Sequence, residues 1–245
     1  PNCVLPPLDA ALKPTSFAPD VTAFERWVDA RTDIDLSLPM LKTAPAWSLF
    51  KDGVAFSLIL IAGALAATLS FAFLLGAATG AQSVVLRWPA RLVIMTLQSS
   101  PIVLTLVIAA AVAHSLFALS TPVVLGAAIV ALGLANGSNA GQAIGEAAWS
   151  LRAEGLGGAG LFGRAVARSA TQIVAFLINA AKGTPIASFI GAPELLSSLT
   201  DIASFSSGRV TTYSILLIFY TVVVMGVVWL CGRLKRILEH RQAAA

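Results

Sequence analysis

The chain has 245 residues, 57% of them hydrophobic and 11% charged, and its mean hydropathy is +0.85; soluble domains carry about 25% charged residues, so an ordinary soluble domain is excluded. Sixteen Lys and Arg against twelve Asp and Glu leave a net charge of +4, too sparse for a nucleic-acid surface built on basic patches. Cys3 and Cys231 lie at opposite ends and His114 and His240 are also far apart in the chain. No disulfide framework or metal cluster can be built from them, and without a phosphate loop or nucleophile elbow neither a self-contained enzyme nor a cofactor is expected.

Residues 1–53 hold twelve of the 28 charges and seven of the twelve prolines. Irregular exposed backbone cannot sit in hydrocarbon, so this segment is expected outside the lipid. Within it Val21, Phe24, Trp27 and Val28 recur at helical spacing while Glu25, Arg26, Asp29 and Arg31 fill the other side. That pattern is an amphipathic helix, packed on its own protein, lying at headgroup level, or docking a soluble partner. The sequence begins at Pro1 rather than Met, which leaves room for a signal peptide or an earlier helix upstream.

Residues 54–78 form an uncharged run of 25, about 37 Å of helix against a hydrocarbon core of about 30 Å. A loop over 79–91 carries Arg87 and Arg91, and a second apolar stretch runs over 92–119. Pro101 predicts a kink or a restart within it, because proline lacks an N–H and disfavours helix at the residue before it. A third span covers 123–145, followed by a glycine-rich segment over 146–168 with Arg152, Arg164 and Arg168. A fourth, shorter helix over 170–181 stops at Lys182-Gly183-Thr184-Pro185, a mixed segment fills 186–211, and the last span covers 212–230. The fold class expected is an all-α integral membrane protein of about five transmembrane helices: an extracytoplasmic segment over 1–53, a transmembrane domain over 54–232 and a basic tail over 233–245.

Basic residues set the orientation. Loop 79–91, segment 146–168 and the tail together carry net +6, whereas 1–53 with 182–211 carries net −2. The N-terminus is therefore expected outside and the C-terminus inside.

Polar groups at membrane depth are the informative ones. Asn136, Ser138, Asn139 and Gln142 lie within two turns; Asn139 and Gln142, three apart, share a face, as Asn136 and Asn139 do. Buried amides need partners, so this face either bonds other helices or meets solute and water. Gln98, Ser99 and Ser100 beside Pro101 form a second such place, since an interrupted helix bares backbone groups. Asn179 and Lys182 end the fourth helix, where a lysine either snorkels to headgroups or meets a solute carboxylate. His114 reads as interfacial, and the spans hold no carboxylate for proton coupling.

Three stretches carry a resemblance: Arg91-Leu-Val-Ile-Met-Thr-Leu-Gln-Ser-Ser-Pro101, Phe176-Leu-Ile-Asn-Ala-Ala-Lys-Gly-Thr184, and Ser188-Phe-Ile-Gly-Ala-Pro-Glu-Leu195. With the first helix and the basic tail, they make residues 47 to 240 similar to the transmembrane subunits of ABC importers for polar amino acids, the histidine/glutamine/arginine permease type. The resemblance implies a permease subunit in a bacterial inner membrane, lining part of the pathway for a polar amino acid or similar small solute. Gln98, Ser99, Ser100, Asn136, Ser138, Asn139, Gln142, Asn179 and Lys182 are its pathway candidates. It also implies two ATPase subunits, a second permease subunit and an extracytoplasmic solute-binding protein as partners, with hydrolysis in the separate ATPase.

Such subunits carry a Glu-Ala-Ala-x3-Gly coupling loop. Here Glu146, Ala147 and Ala148 match, but the next glycine is Gly155, no Leu-Pro follows, and the loop is about a dozen residues short. Glu146 to Gly155, with Arg152 and Glu154, reads either as a degenerate coupling helix or as the cytoplasmic end of the third span. The arginine that the family places before Gly-Thr-Pro is replaced by Gln98-Ser99-Ser100. The alternative function is a structural or regulatory membrane subunit that has lost transport coupling.

Overall fold

The computed structural model describes residues 13–32, 36–118, 120–204 and 209–243; Cys3 and the His240 and Arg241 side chains lie outside them. Ten α-helices are present among the described residues: α1 (Ala18–Thr32), α2 (Pro39–Lys42), α3 (Ala44–Gly80), α4 (Val84–Ser99), α5 (Ile102–Leu116), α6 (Thr121–Ala153), α7 (Leu161–Arg168), α8 (Ala170–Gly183), α9 (Leu195–Ser204) and α10 (Arg209–Ala243). A 3₁₀ helix, Thr184–Ile190, continues α8 past the expected stop at Lys182–Pro185. Four helical stretches, Ala44–Gly80, Thr121–Ala153, Ala170–Ile190 and Arg209–Arg233, are long and apolar enough to cross a membrane. The molecule is an all-α, multi-pass membrane protein.

The second apolar stretch, 92–119, restarts at Pro101 as its sequence predicts. It is two helices, α4 and α5, bent by 113°. Ser100 is extended (φ −93, ψ 132) and Pro101 caps α5, so the break is the steric demand of proline on the residue before it. Helix α4 also starts eight residues earlier than predicted. The pair is a broken span or a re-entrant element, giving four crossings or five.

The chain divides into two compact units, Pro1–Leu58 with Pro193–Thr221, and Ile59–Ala192 with Val222–Ala245. In the first, Met40, Leu195, Leu199 and Ile202 form the core, with Phe50, Val54 and Phe219 packed against it. Gly53 allows the approach of α9, because a Cβ there would lie 2.6 Å from Ser198 Oγ. Helix α1 is oriented by a carboxylate: Glu25, buried, pairs with Lys42 Nζ at 2.6 Å and accepts the Leu38 N–H at 2.7 Å. Glu25 thus faces inward while Arg26, Asp29 and Arg31 stay exposed; Phe24 and Trp27 are 50% and 53% exposed, with the Arg31 guanidinium 4.2 Å from the Trp27 ring centre. The expected helix is present; of its apolar face Val21 and Val28 are half-buried, whereas Phe24 and Trp27 are exposed.

In the second unit α3 and α6 pack along a glycine seam. Gly133, Gly137, Gly141 and Gly145 are spaced by four and meet Ala67, Thr68, Phe71, Ala72, Leu75 and Thr79 of α3. A Cβ at Gly137 would lie 2.8 Å from the Thr68 carbonyl oxygen and one at Gly141 3.1 Å from that of Ala72. Between membrane helices, where burial from lipid drives little, such small-residue stripes let backbones touch and gather dispersion contacts.

Candidate functional site

The seam brings the last three turns of α6 beside the end of α3. Gln142, Glu146 and Trp149 follow one another at i, i+4 and i+7, so they lie on one face of α6. On α4, Arg91, Met95 and Gln98 share a face by the same spacing. The two faces, with Thr79, Ile94 and Gly145, enclose a cavity of about 260 Å³.

Its polar groups are chained. Gln98 Nε2 donates to Gln142 Oε1, and Gln142 Nε2 donates to Glu146 Oε1 at 2.7 Å. Both amides therefore point their donors along the chain toward the carboxylate. Trp149 is held by its indole N–H, which donates to the Thr79 carbonyl at 2.9 Å. The guanidinium carbons of Arg87 and Arg152 each lie 4.9 Å from the Trp149 ring centre, a cation–π distance, and Arg152 also donates to the Gly80 carbonyl. The cavity thus presents a cation (Arg91), an anion (Glu146), two amides and an aromatic ring. Among the described residues no three His, Cys, Asp or Glu side chains converge as metal ligands.

No protein-family model and no curated protein matches this chain. A solved structure does, described as "Crystal structure of an amino acid ABC transporter with histidines", at a TM-score of 0.60 and 16% identity over 77% of this chain and 94% of that chain. The two chains share a fold.

The structure joins two sets of residues kept apart in the sequence reading: the pathway candidates Gln98 and Gln142 and the coupling candidate Glu146 line one cavity. The remaining amides turn to their own helix. Asn136 Nδ2 donates to the Leu132 carbonyl at 2.9 Å and Asn139 Nδ2 to that of Ala135 at 2.8 Å, with Ser138 Oγ also on Ala135. Ser99 Oγ bonds the Met95 carbonyl, and Ser100 accepts from Thr105. Asn179 and Lys182 are exposed on α8, outside the cavity.

Of the two readings of Glu146 to Gly155, a separate short helix or the end of the third span, the structure has the second geometry. Glu146, Ala147, Ala148 and Arg152 belong to the last turns of the 33-residue α6, with Ala148 buried. Gly145 lies within α6, where Thr79 of α3 occupies the space a side chain would take. Helix α6 ends instead at Gly155, whose φ of +82 is the left-handed conformation of a Schellman stop. The Leu156 N–H bonds the Leu151 carbonyl and the Gly155 N–H that of Arg152. Glu154 then pairs with Arg168 at 2.7 Å, closing the loop that carries α7. The short helix of this segment is therefore α7, Leu161–Arg168. Arg91, Trp149 and Thr79 were not among the site candidates, although the seven-residue spacings Arg91–Gln98 and Gln142–Trp149 held the signal.

Proposed function

We propose that this chain is the permease subunit of an ATP-binding-cassette importer in a bacterial inner membrane, forming part of the pathway for a polar amino acid or similar small polar solute. The observation that carries the reading is the Gln98–Gln142–Glu146 chain lining a cavity, in a protein whose fold matches a chain of an amino acid ABC transporter. Arg91 and Glu146 line the same space, so a zwitterion can place its carboxylate on the guanidinium and its ammonium on the carboxylate. The two glutamines add donors and acceptors that are tolerant of side-chain identity. About 260 Å³ accommodates one such solute.

In this reading the chain holds no cofactor, and hydrolysis belongs to separate ATPase subunits. A second permease subunit completes the pathway, and an extracytoplasmic solute-binding protein delivers the solute. The charge asymmetry supports N-outside, C-inside, which puts α7 and the Glu154–Arg168 loop on the ATPase side. Exposed Phe162 and Arg164 of α7 are the surface offered there.

The test is co-purification followed by reconstitution. The complex should contain an ATPase, and proteoliposomes loaded with it should accumulate a labelled polar amino acid only when ATP is supplied. If no ATPase accompanies the chain under conditions that preserve its helical fold, the structural or regulatory subunit is the better reading.

A further inference from the structure

Arg87 continues the cavity face of α4: Arg87, Arg91, Ile94 and Gln98 follow one another at i, i+4, i+7 and i+11, one side of the helix. On α6, Arg152 stands one turn beyond Trp149, which lines the cavity. The guanidinium carbons of Arg87 and Arg152 both lie 4.9 Å from the Trp149 ring centre. Helix α3 fixes this cluster, because its Thr79 and Gly80 carbonyls accept the Trp149 indole N–H and the Arg152 guanidinium. The Trp149 end of the cavity therefore carries two cations besides Arg91. Among the described residues none of the three arginines belongs to an ion pair, and Glu154, the next carboxylate along the chain after Glu146, is taken by Arg168. Glu146 alone among the lining residues is acidic, so three cations face one carboxylate.

We infer that Arg87 and Arg152 determine the charge specificity of this cavity: they reject amino acids with a cationic side chain and favour those with an acidic one. The inference rests on the permease reading above and adds to it the charge of the solute. A zwitterion with its carboxylate on Arg91 and its ammonium on Glu146 uses the one acidic group of the lining, so a second cation on the solute finds no partner there. The Trp149 ring offers it none either, being engaged by two guanidinium groups already. Like charges brought together select against the wrong ligand, and opposite charges select for the right one. A unit charge about 10 Å from one uncompensated cation shifts affinity on the order of tenfold at an effective dielectric of about 20.

The experiment uses the full chain with the subunits that accompany it, in non-ionic detergent and without a solute-binding protein, so that no other selectivity enters. It measures equilibrium binding of labelled glutamate, glutamine and arginine. Glutamate should bind more tightly than glutamine and about tenfold or more above arginine, and the ratio should shrink as salt screens the arginines. R87Q/R152Q should bring glutamate and arginine to within about threefold of each other, whereas R87K/R152K, which keeps the charges, should retain most of the preference. The ratio is taken within each protein, so a general loss of affinity cancels. Arginine bound as tightly as glutamate by the wild-type complex overturns the inference and leaves the permease reading standing, and this decides the matter even if the glutamine pair fails to fold. An undiminished preference for glutamate in a folded R87Q/R152Q also overturns it. If none of the three solutes binds, the cavity is not a solute site, and the permease reading of it falls together with the inference.

Discussion

Tyr220 donates its hydroxyl to the Glu194 carboxylate at 2.7 Å, and that contact completes the capping of α9. Glu194 is fully buried and also accepts the Leu196 N–H at 2.9 Å and the Ser197 N–H at 3.1 Å. Ser57 Oγ of α3 lies 3.3 Å from the Tyr220 hydroxyl and accepts the Leu195 N–H at 2.9 Å. A single carboxylate therefore ties α3, α9 and α10 at one point of the first unit. Desolvation holds its pKa above the ordinary value, opposed by the hydrogen bonds from Leu196, Tyr220, Ser197 and Ser57. Since the folded-state pKa is raised, the stability Glu194 contributes is full below its unfolded pKa and is lost as pH rises through the folded one. Tyr220→Phe removes a donor to the charged form and should cost about 1–3 kcal/mol at neutral pH. The deficit should shrink on acidification as Glu194 takes its proton. Thermal unfolding in detergent across a pH series checks this; a pH-independent deficit would assign Tyr220 a packing role only.

The glycine seam predicts a contrast within one helix. Gly137→Ala puts a methyl 2.8 Å from the Thr68 carbonyl and 2.7 Å from Phe71 Cβ, where backbone must shift, and should destabilise by about 1–3 kcal/mol. Gly126→Ala, also in α6, meets nothing within 4 Å and should be neutral or slightly stabilising through helix propensity. Midpoints of thermal unfolding for the two variants measure the difference, and equal midpoints would mean α3 and α6 do not touch as described.

How much of this was legible beforehand depends on the range of the signal. Apolar runs specified the middle of α3 and of α10, though not the ten residues by which α3 begins before Val54, and Pro101 specified the α4–α5 break, because each is a local property of the chain. The 113° bend was not legible, since proline forbids a conformation without choosing a direction. Asn136 and Asn139 satisfy their amides on carbonyls four residues back, which spacing cannot distinguish from bonding across helices. Gln142 differs only because Gln98 arrives from 44 residues away, a tertiary fact. The inward turn of Glu25 was hidden for the same reason: Lys42 lies beyond a segment of no fixed period. The four-residue glycine spacing of α6 was there to be read and names its own partner type, a second close helix.

At the end of α6 two neighbouring residues should behave differently. Gly155 has φ +82, so Gly155→Ala forces a Cβ into the left-handed region at about 1–2 kcal/mol. Glu154→Gln breaks only the pair with Arg168, whose side chains are 46% and 45% exposed, and exposed pairs contribute about 0–1 kcal/mol. Chemical unfolding should rank Gly155→Ala as the more destabilising change. The reverse ranking would mean that the Glu154–Arg168 pair, and not the Schellman stop, fixes the loop.

The last prediction separates the cavity from the rest of the polar face of α6. Gln142 bridges Gln98 and Glu146, so Gln142→Leu removes both hydrogen bonds, leaves the amide of Gln98 and the carboxylate of Glu146 without their shared partner, and adds apolar bulk to the cavity wall. Because these groups line an open cavity that water can enter, the fold should survive the change and the loss should fall on solute movement, at about tenfold or more in ATP-dependent uptake. Asn139→Leu removes an amide whose donor is already bonded to the Ala135 carbonyl of its own helix; uptake should change less than threefold, with any effect appearing in stability instead. Gln142→Glu supplies the control for charge: a second carboxylate four residues from Glu146 repels it and loses the donor, so uptake should fall without added bulk. Uptake by reconstituted wild-type and variant complexes, normalised to the amount of assembled complex, reads all three. Equal loss in Gln142→Leu and Asn139→Leu would remove the reason to place the pathway at this cavity, and full activity in Gln142→Leu would remove Gln142 from it.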